Sequence, residues 1–228
     1  MEIENKEPTL AEKVYQRLSA AILEGQLAPG SKISEPALAR EYGVSRGPLR
    51  EALHRLQERK LITRSANQGP RVIKPSVDAL AELFVVREAL EGMAARMAAI
   101  NATDEEIVCL RATVTDPTAQ GSIEYADGAY EQLDQDFHVA VAQCSRNPML
   151  IDLLCGELYP LLKIYRGTPV GHKPRRLRAV EEHRRVVDAI EDRDPELAEI
   201  LMRRHITSAR RRRTDALEEG QVDLAAGK

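Results

Sequence analysis

The chain has 228 residues, of which 43% are hydrophobic and 30% charged, with two Phe, six Tyr and no Trp. That length holds one large domain or two small ones. No apolar run approaches the roughly 18 residues of a spanning helix, and the opening "MEIENKEPTL" is acidic and polar rather than a signal peptide, so membrane and secreted classes are set aside and a cytoplasmic chain is expected. Cys109, Cys144 and Cys155 form neither a CxxC pair nor an even framework; they are expected to be reduced thiols acting as small buried apolar residues. The charge is uneven. Residues 1–75 carry 13 basic against 9 acidic side chains, residues 31–74 carry 10 against 4, and residues 76–228 carry 20 against 27. A basic module joined to an acidic one fits a nucleic-acid binder with a separate regulatory or assembly domain.

In chain order, Thr9 with Glu12 reads as a capping box, and Leu10, Val14, Leu18, Ala21 and Ile22 form one apolar stripe of a first helix ended by Gly25 and "APG". A second helix follows Ser34, with Ala37, Leu38 and Tyr42 as its candidate buried side. After the turn at Gly43-Val44, Ser45 is the N-cap of a third helix, "RGPLREALHRLQERK", where Pro48 is tolerated because first-turn amides have no intrahelical partner. "LITRS" and "PRVIKP" are β-branched runs around "ANQG", which predicts a hairpin. Three helices and then a hairpin is a winged helix-turn-helix order.

"KPSV", residues 74–77, is the domain joint, with Ser76 as an N-cap. Beyond it the chain is helical: a long amphipathic helix over 77–100, another capped by Thr103 and Glu106, one over about 123–144, and one opened by the "NP" of 147–148 and ending near Arg166. Two last helices, about 175–192 and 195–218, are hinged by "DRDP". The predicted fold is mainly α: a winged helix-turn-helix with a small β-hairpin wing over 1–75, an all-α antiparallel bundle over 76–219, and a frayed tail over 220–228.

On the third helix Leu49, Leu53 and Leu56 must face the core, while Arg46, Arg50 and His54 form an offset stripe open to solvent or DNA. Ser45 and Arg46 stand at the helix N-terminus, where amides and the dipole favour a phosphate. Arginine fits guanine O6 and N7 bidentately, which a merely solubilising face would not require.

These segments carry a resemblance. "LEGQLAPGSKISEPALAREYGVSRGPLREALHRLQERKLI" followed by "QGPRVIKP" is similar to the DNA-binding domain of GntR-type bacterial transcription regulators. "LFVVREALEGMAARMAA", "DQDFHVAVAQCSRNPML" and "EEHRRVVDAIEDRDPELAEILMRRHI" resemble the helical FCD effector domain of the FadR-like subgroup. The resemblance spans about residues 9 to 215. It implies DNA contacts at Ser45, Arg46, Gly47 and Arg50, with Gln68 and Gly69 at the wing tip. Some relatives carry an arginine early in the second helix where this chain has Pro36, so that contact is not carried over.

A second site follows from spacing. Asp134 and His138 of "DQDFH" share one helical face, about 6 Å apart at Cβ. His183 and His205 lie about 13 Å and about 15 Å from the hinge between the last two helices, so an antiparallel pair holds both imidazoles at one level. Three imidazoles and a carboxylate inside a bundle suit one divalent ion per chain, Zn²⁺ first, with Ni or Mn as alternatives. The resemblance implies the same four residues as metal ligands, and small organic acids as effectors. Arg87 is then a second anchor for the acid, against its reading as a partner of Glu88 or Glu91; Asn147 either contributes or caps its own helix. A cation with an arginine suits a hydroxylated di- or tricarboxylate. His54 and His172 stand outside this set. "RRRR" at 210–213 points all round a helix, so it is read as a solvated or interface-flanking helix end.

The expected function is a homodimeric transcription regulator, a repressor of a catabolic operon that binds a double-stranded inverted-repeat operator and responds to a small organic acid. A metal-sensing regulator is the alternative. A metal-dependent hydrolytic enzyme is the other, but no further acid or base shares a motif with the ligands, and it would leave the winged module unexplained.

Overall fold

A computed structural model describes residues 8–65, 69–114, 129–165 and 173–218, with the side chains of 129–134, 173–177 and 216–218 outside the description. It divides into two compact units on either side of the Pro75–Ser76 joint.

The first unit is built on α1 (Leu10–Leu23), α2 (Glu35–Glu41) and α3 (Arg46–Glu58), followed by antiparallel strands β1 (Ile62–Ser65) and β2 (Gly69–Val72). α1 packs on α3, and Leu18 of α1 and Leu49, Ala52, Leu53 and Leu56 of α3 are all fully buried, as their spacing requires. The α1 stripe buries Val14, Leu18, Ala21 and Ile22 as expected and differs only at its start, where Ala11 is buried and Leu10 is exposed. The expected capping box is only half formed. Thr9 Oγ1 accepts from Glu12 N at 3.1 Å, but the Glu12 carboxylate turns to Arg55 Nη1 of α3, because a charge-assisted bond outweighs one to a backbone amide. On α2 only Leu38 is buried; Ala37 is exposed, and Tyr42 is half-buried with the Arg17 guanidinium 4.1 Å from its ring centre. Gly43 makes the turn into α3 at φ +63°, a left-handed conformation that suits glycine. The hairpin pairs Ile62 with Val72 and Ser65 with Gly69, and Lys32 bridges to Arg71 at its edge.

The second unit is helical throughout its described residues. It comprises α4 (Val77–Asn101), α5 (Asp104–Thr113), α6 (Ala129–Cys144), α7 (Pro148–Ile151), α8 (Tyr159–Tyr165), α9 (Lys173–Glu191) and α10 (Pro195–Glu218). Ser76 caps α4, and Thr103 with Glu106 closes a complete capping box on α5. The helix expected to run unbroken from Pro148 is interrupted by a π-helical stretch, Asp152–Leu158, whose wider turn is a backbone feature that 3.6-residue periodicity does not register.

α4 packs along α10 and touches α6 and α9. Gly92 permits the close approach, since a Cβ there would lie 2.6 Å from Arg203 Cγ of α10. The expected amphipathicity of α4 is altered. Its inner face buries Arg87 and Glu91 beside Phe84 and four alanines, while Val85, Val86, Met93 and Ile100 are exposed. Of the thiols, Cys144 is buried, Cys155 half-buried and Cys109 exposed, so the expectation of three buried cysteines holds for Cys144 alone. Burial pushes the Cys144 thiol up to about 11.

Candidate functional site

In the first unit α3 carries Arg46, Arg50 and His54 on an exposed face opposite its leucines. Ser45 precedes the helix as N-cap but its side chain makes no capping hydrogen bond, which differs from the expectation and leaves the first-turn amides to other acceptors. Gly47 is exposed with nothing within 4 Å of where a Cβ would stand, so a partner's backbone could approach closely. Gly69 opens β2 at φ +73°; Gln68 lies outside the described residues. One residue was not singled out from the sequence. Glu35, at the start of α2, lies 3.6 Å from Arg50 Nε and accepts from Arg64 Nη2 at 2.9 Å, so a single carboxylate spans α3 and the β-hairpin.

In the second unit three imidazoles meet. His138 comes from α6, His183 from α9 and His205 from α10; each is buried, and one ring nitrogen of each lies within 4.8 Å of the others. Nε2 of His183 and Nε2 of His205 are 3.0 Å apart. The antiparallel pairing of α9 and α10 across Asp192–Asp194 brings these two together, as their matched distances from the hinge require. Phe137 stacks on His183, centroids 4.0 Å apart, and fixes its ring plane. Tyr159, just beyond the π-helical stretch, donates from its hydroxyl to the His138 carbonyl at 3.3 Å. Asp134 lies on α6 one turn before His138, and its side chain lies outside the described residues.

Two carboxylates support this cluster. Glu182 Oε2 is 2.9 Å from His205 Nδ1, and Glu91 Oε2 is 2.6 Å from His138 Nδ1. A carboxylate at Nδ1 holds the ring proton there and turns Nε2, with its lone pair, toward the centre of the cluster. Burial pushes the Glu91 carboxyl up, but the Arg87 charge and the close contact with His138 outweigh it and hold the group at about 2. Glu182 behaves alike: partial burial raises it, and the His205 bond, the Arg212 charge and Ser208 bring it to about 2. Glu91 could be noticed in the sequence only as a partner four residues after Arg87. Glu182 carries no signal toward His205 beyond adjacency to His183, since the contact crosses two helices.

Arg87 is buried, its Nε donating to Glu91 Oε1 at 2.5 Å, so of its two expected carboxylate partners the structure selects Glu91. Asn147 is the N-cap of α7: its Oδ1 accepts from the amides of Met149 and Leu150 at 3.1 and 3.2 Å, and its Nδ2 faces Met97 Sδ at 3.7 Å. His54 is exposed on α3, 3.5 Å from Glu58; His172 lies outside the described residues.

Residues 10–72 match the family described as "Bacterial regulatory proteins, gntR family", and residues 82–208 match the FCD domain. The "Uncharacterized HTH-type transcriptional regulator BphR" of Paraburkholderia xenovorans (strain LB400) is 32% identical over 206 residues, covering 88% of this chain and 84% of that one. The "Probable D-xylose utilization operon transcriptional repressor" of Paenarthrobacter nicotinovorans is 29% identical over 208 residues, covering 88% and 87%. The solved structure of E. coli McbR/YncC has a TM-score of 0.66 at 21% identity, over 93% of this chain and 98% of that one, which bears on the fold alone. Among the described residues no helix is long and apolar enough to cross a membrane. These matches are to DNA-binding transcription regulators and not to enzymes. The chain therefore belongs to the gntR family of bacterial regulatory proteins, with an FCD domain following its winged helix-turn-helix.

Proposed function

We propose that this chain is a homodimeric, ligand-responsive repressor of a catabolic operon, sensing a small organic hydroxycarboxylate at a metal-containing cavity of its helical domain. The observation that carries this reading is the convergence of His138, His183 and His205, buried on three different helices. Three imidazoles so held, two of them with carboxylates at Nδ1, fit a divalent ion far better than they fit a packed core, where apolar side chains would serve. Asp134 completes the proposed ligand set, and the donor types favour zinc, with nickel or manganese as alternatives. The ion would offer an open position to a carboxylate or hydroxyl oxygen of the effector. Arg87 would hold a second carboxylate from α4, in exchange for part of its hold on Glu91. Asn147 has its oxygen committed to the α7 cap, so its contact to an effector would come from Nδ2.

On the DNA side, Ser45, Arg46, Gly47 and Arg50 would enter the major groove, with Gln68 and Gly69 at the wing tip. A two-fold dimer presents two such helices, so the operator would be an inverted repeat. Support for a dimer lies on α4, where exposed Val86, Met93 and Ile100 recur at seven-residue spacing and invite cover. Repression is the sign carried by the relative from P. nicotinovorans. A cytoplasmic location follows from an operator as partner.

The deciding experiment measures divalent metal per chain, and operator affinity with and without candidate hydroxy acids. About one ion per chain, lost in a His138→Ala/His183→Ala/His205→Ala protein, together with operator release by an acid, is expected. Full metal content in the triple variant, or an operator affinity that no acid alters, would overturn the reading.

A further inference from the structure

The C-terminal half of α10 does not end in a uniformly solvated arginine run. With α4 and α9 it forms an open cavity of about 580 Å³, a volume within the range of small-molecule sites. Arg178, Arg203, Arg204, Arg211 and Arg212 line it against two carboxylates, Glu88 and Asp215. Three of the arginines already have acids: Arg203 pairs with Glu88 and Glu199, while Arg178 and Arg212 share Glu182. Arg204 and Arg211 are exposed and make no ion pair among the described residues. They stand seven residues apart on one face of α10, about 10 Å along its axis.

We propose that this groove is an anion site for a small molecule carrying two phosphoryl groups, separate from the imidazole cluster. Guanidinium groups crowded on one wall repel one another unless a multiply charged partner enters, and their planar forks match phosphate oxygens bidentately. Two arginines without acids, set apart along the helix, match two separated phosphoryl groups better than one compact anion. The surface is concave, and Glu88 and Asp215 interrupt its positive charge, which disfavours the continuous phosphate backbone of a duplex. Arg212 also holds Glu182, which holds His205, so groove and cluster share a carboxylate. The proposed anion site does not require an ion at the cluster, and it stands whether or not the regulatory reading above survives.

Titration calorimetry on the full chain at physiological salt, with a hexose bisphosphate as probe, tests it. The wild type should bind one probe molecule per chain. Arg204→Gln/Arg211→Gln, two exposed changes that should leave the melting temperature unaltered, should weaken binding by about tenfold or more. A hexose monophosphate and a tricarboxylate without hydroxyls should bind more weakly by a similar factor, and the His138→Ala protein should bind as the wild type does. Absence of binding at millimolar probe overturns the site. So does unchanged affinity in the double variant, equal affinity for the monophosphate, or loss of binding in His138→Ala. Displacement of the probe by duplex DNA of arbitrary sequence would reassign the groove to nucleic acid.

Discussion

Glu91 Oε2 lies 2.6 Å from His138 Nδ1, with both side chains all but sealed from solvent. The other oxygen of the same carboxylate accepts from Arg87 at 2.5 Å, so one acid on α4 joins the proposed effector anchor to a proposed metal ligand. Glu91→Gln keeps the shape and removes the charge. It should lower metal affinity about ten- to hundred-fold by releasing the His138 ring. It should also cost about 3–5 kcal/mol of stability, because the buried Arg87–Glu91 ion pair is broken. Competition with a chelator and thermal melting read the two effects separately.

The held-down carboxylates give a pH dependence. Glu91 and Glu182 are held at about 2 in the folded chain against an ordinary value of 4.5. The folded values lie below the unfolded ones, so these groups contribute their full stability above about pH 4.5 and lose it as pH falls toward 2. Metal-free protein should melt at a progressively lower temperature across that window. Glu182→Gln should melt lower than wild type near neutrality and fall less steeply in acid. Parallel curves for the two proteins would contradict the assignment.

On the recognition helix, Arg46→Ala and Arg50→Ala should each cost about 1–3 kcal/mol of specific operator binding if they read bases. Glu35 competes for Arg50 and Arg64, so Glu35→Gln should strengthen DNA binding and do so without sequence preference. Fluorescence anisotropy on operator and on scrambled duplex separates these cases. Equal losses on both duplexes would make the arginines phosphate contacts rather than readers.

Arg87→Ala tests coupling within the regulator. Arg87 lies ten residues into α4, the helix that begins directly after the Pro75–Ser76 joint. If the guanidinium grips the effector, the variant should hold the operator in the presence of acid as well as in its absence. Coupling on the usual scale of about 1–3 kcal/mol would make the wild-type response roughly five- to hundred-fold and the variant's close to none. A normal response would leave Arg87 as the structural partner of Glu91.

Much of this was legible along the chain. The leucine spacing of α3, the glycine turn before it and the strand-forming runs after it define the winged module, because each depends on neighbours within a few residues. The hinge "DRDP" with nearly matched helical distances on either side brings His183 and His205 together, since a straight antiparallel pair leaves little freedom. Local readings failed where a distant partner competed. Glu12 abandoned its capping box for Arg55, forty-three residues on. The interior of α4 holds an ion pair where periodicity calls for apolar residues, because its inner face lines a polar cluster made by α6, α9 and α10. Glu182 at His205, Glu35 between α3 and the wing, and the arginine groove each join residues from separate elements. Sequence by itself determined most of the elements, their order and the residue types offered for DNA and metal, the π-helical break at Asp152–Leu158 being the exception. Tertiary packing alone decided which charges face each other, because a charge selects its partner by distance in space and not along the chain.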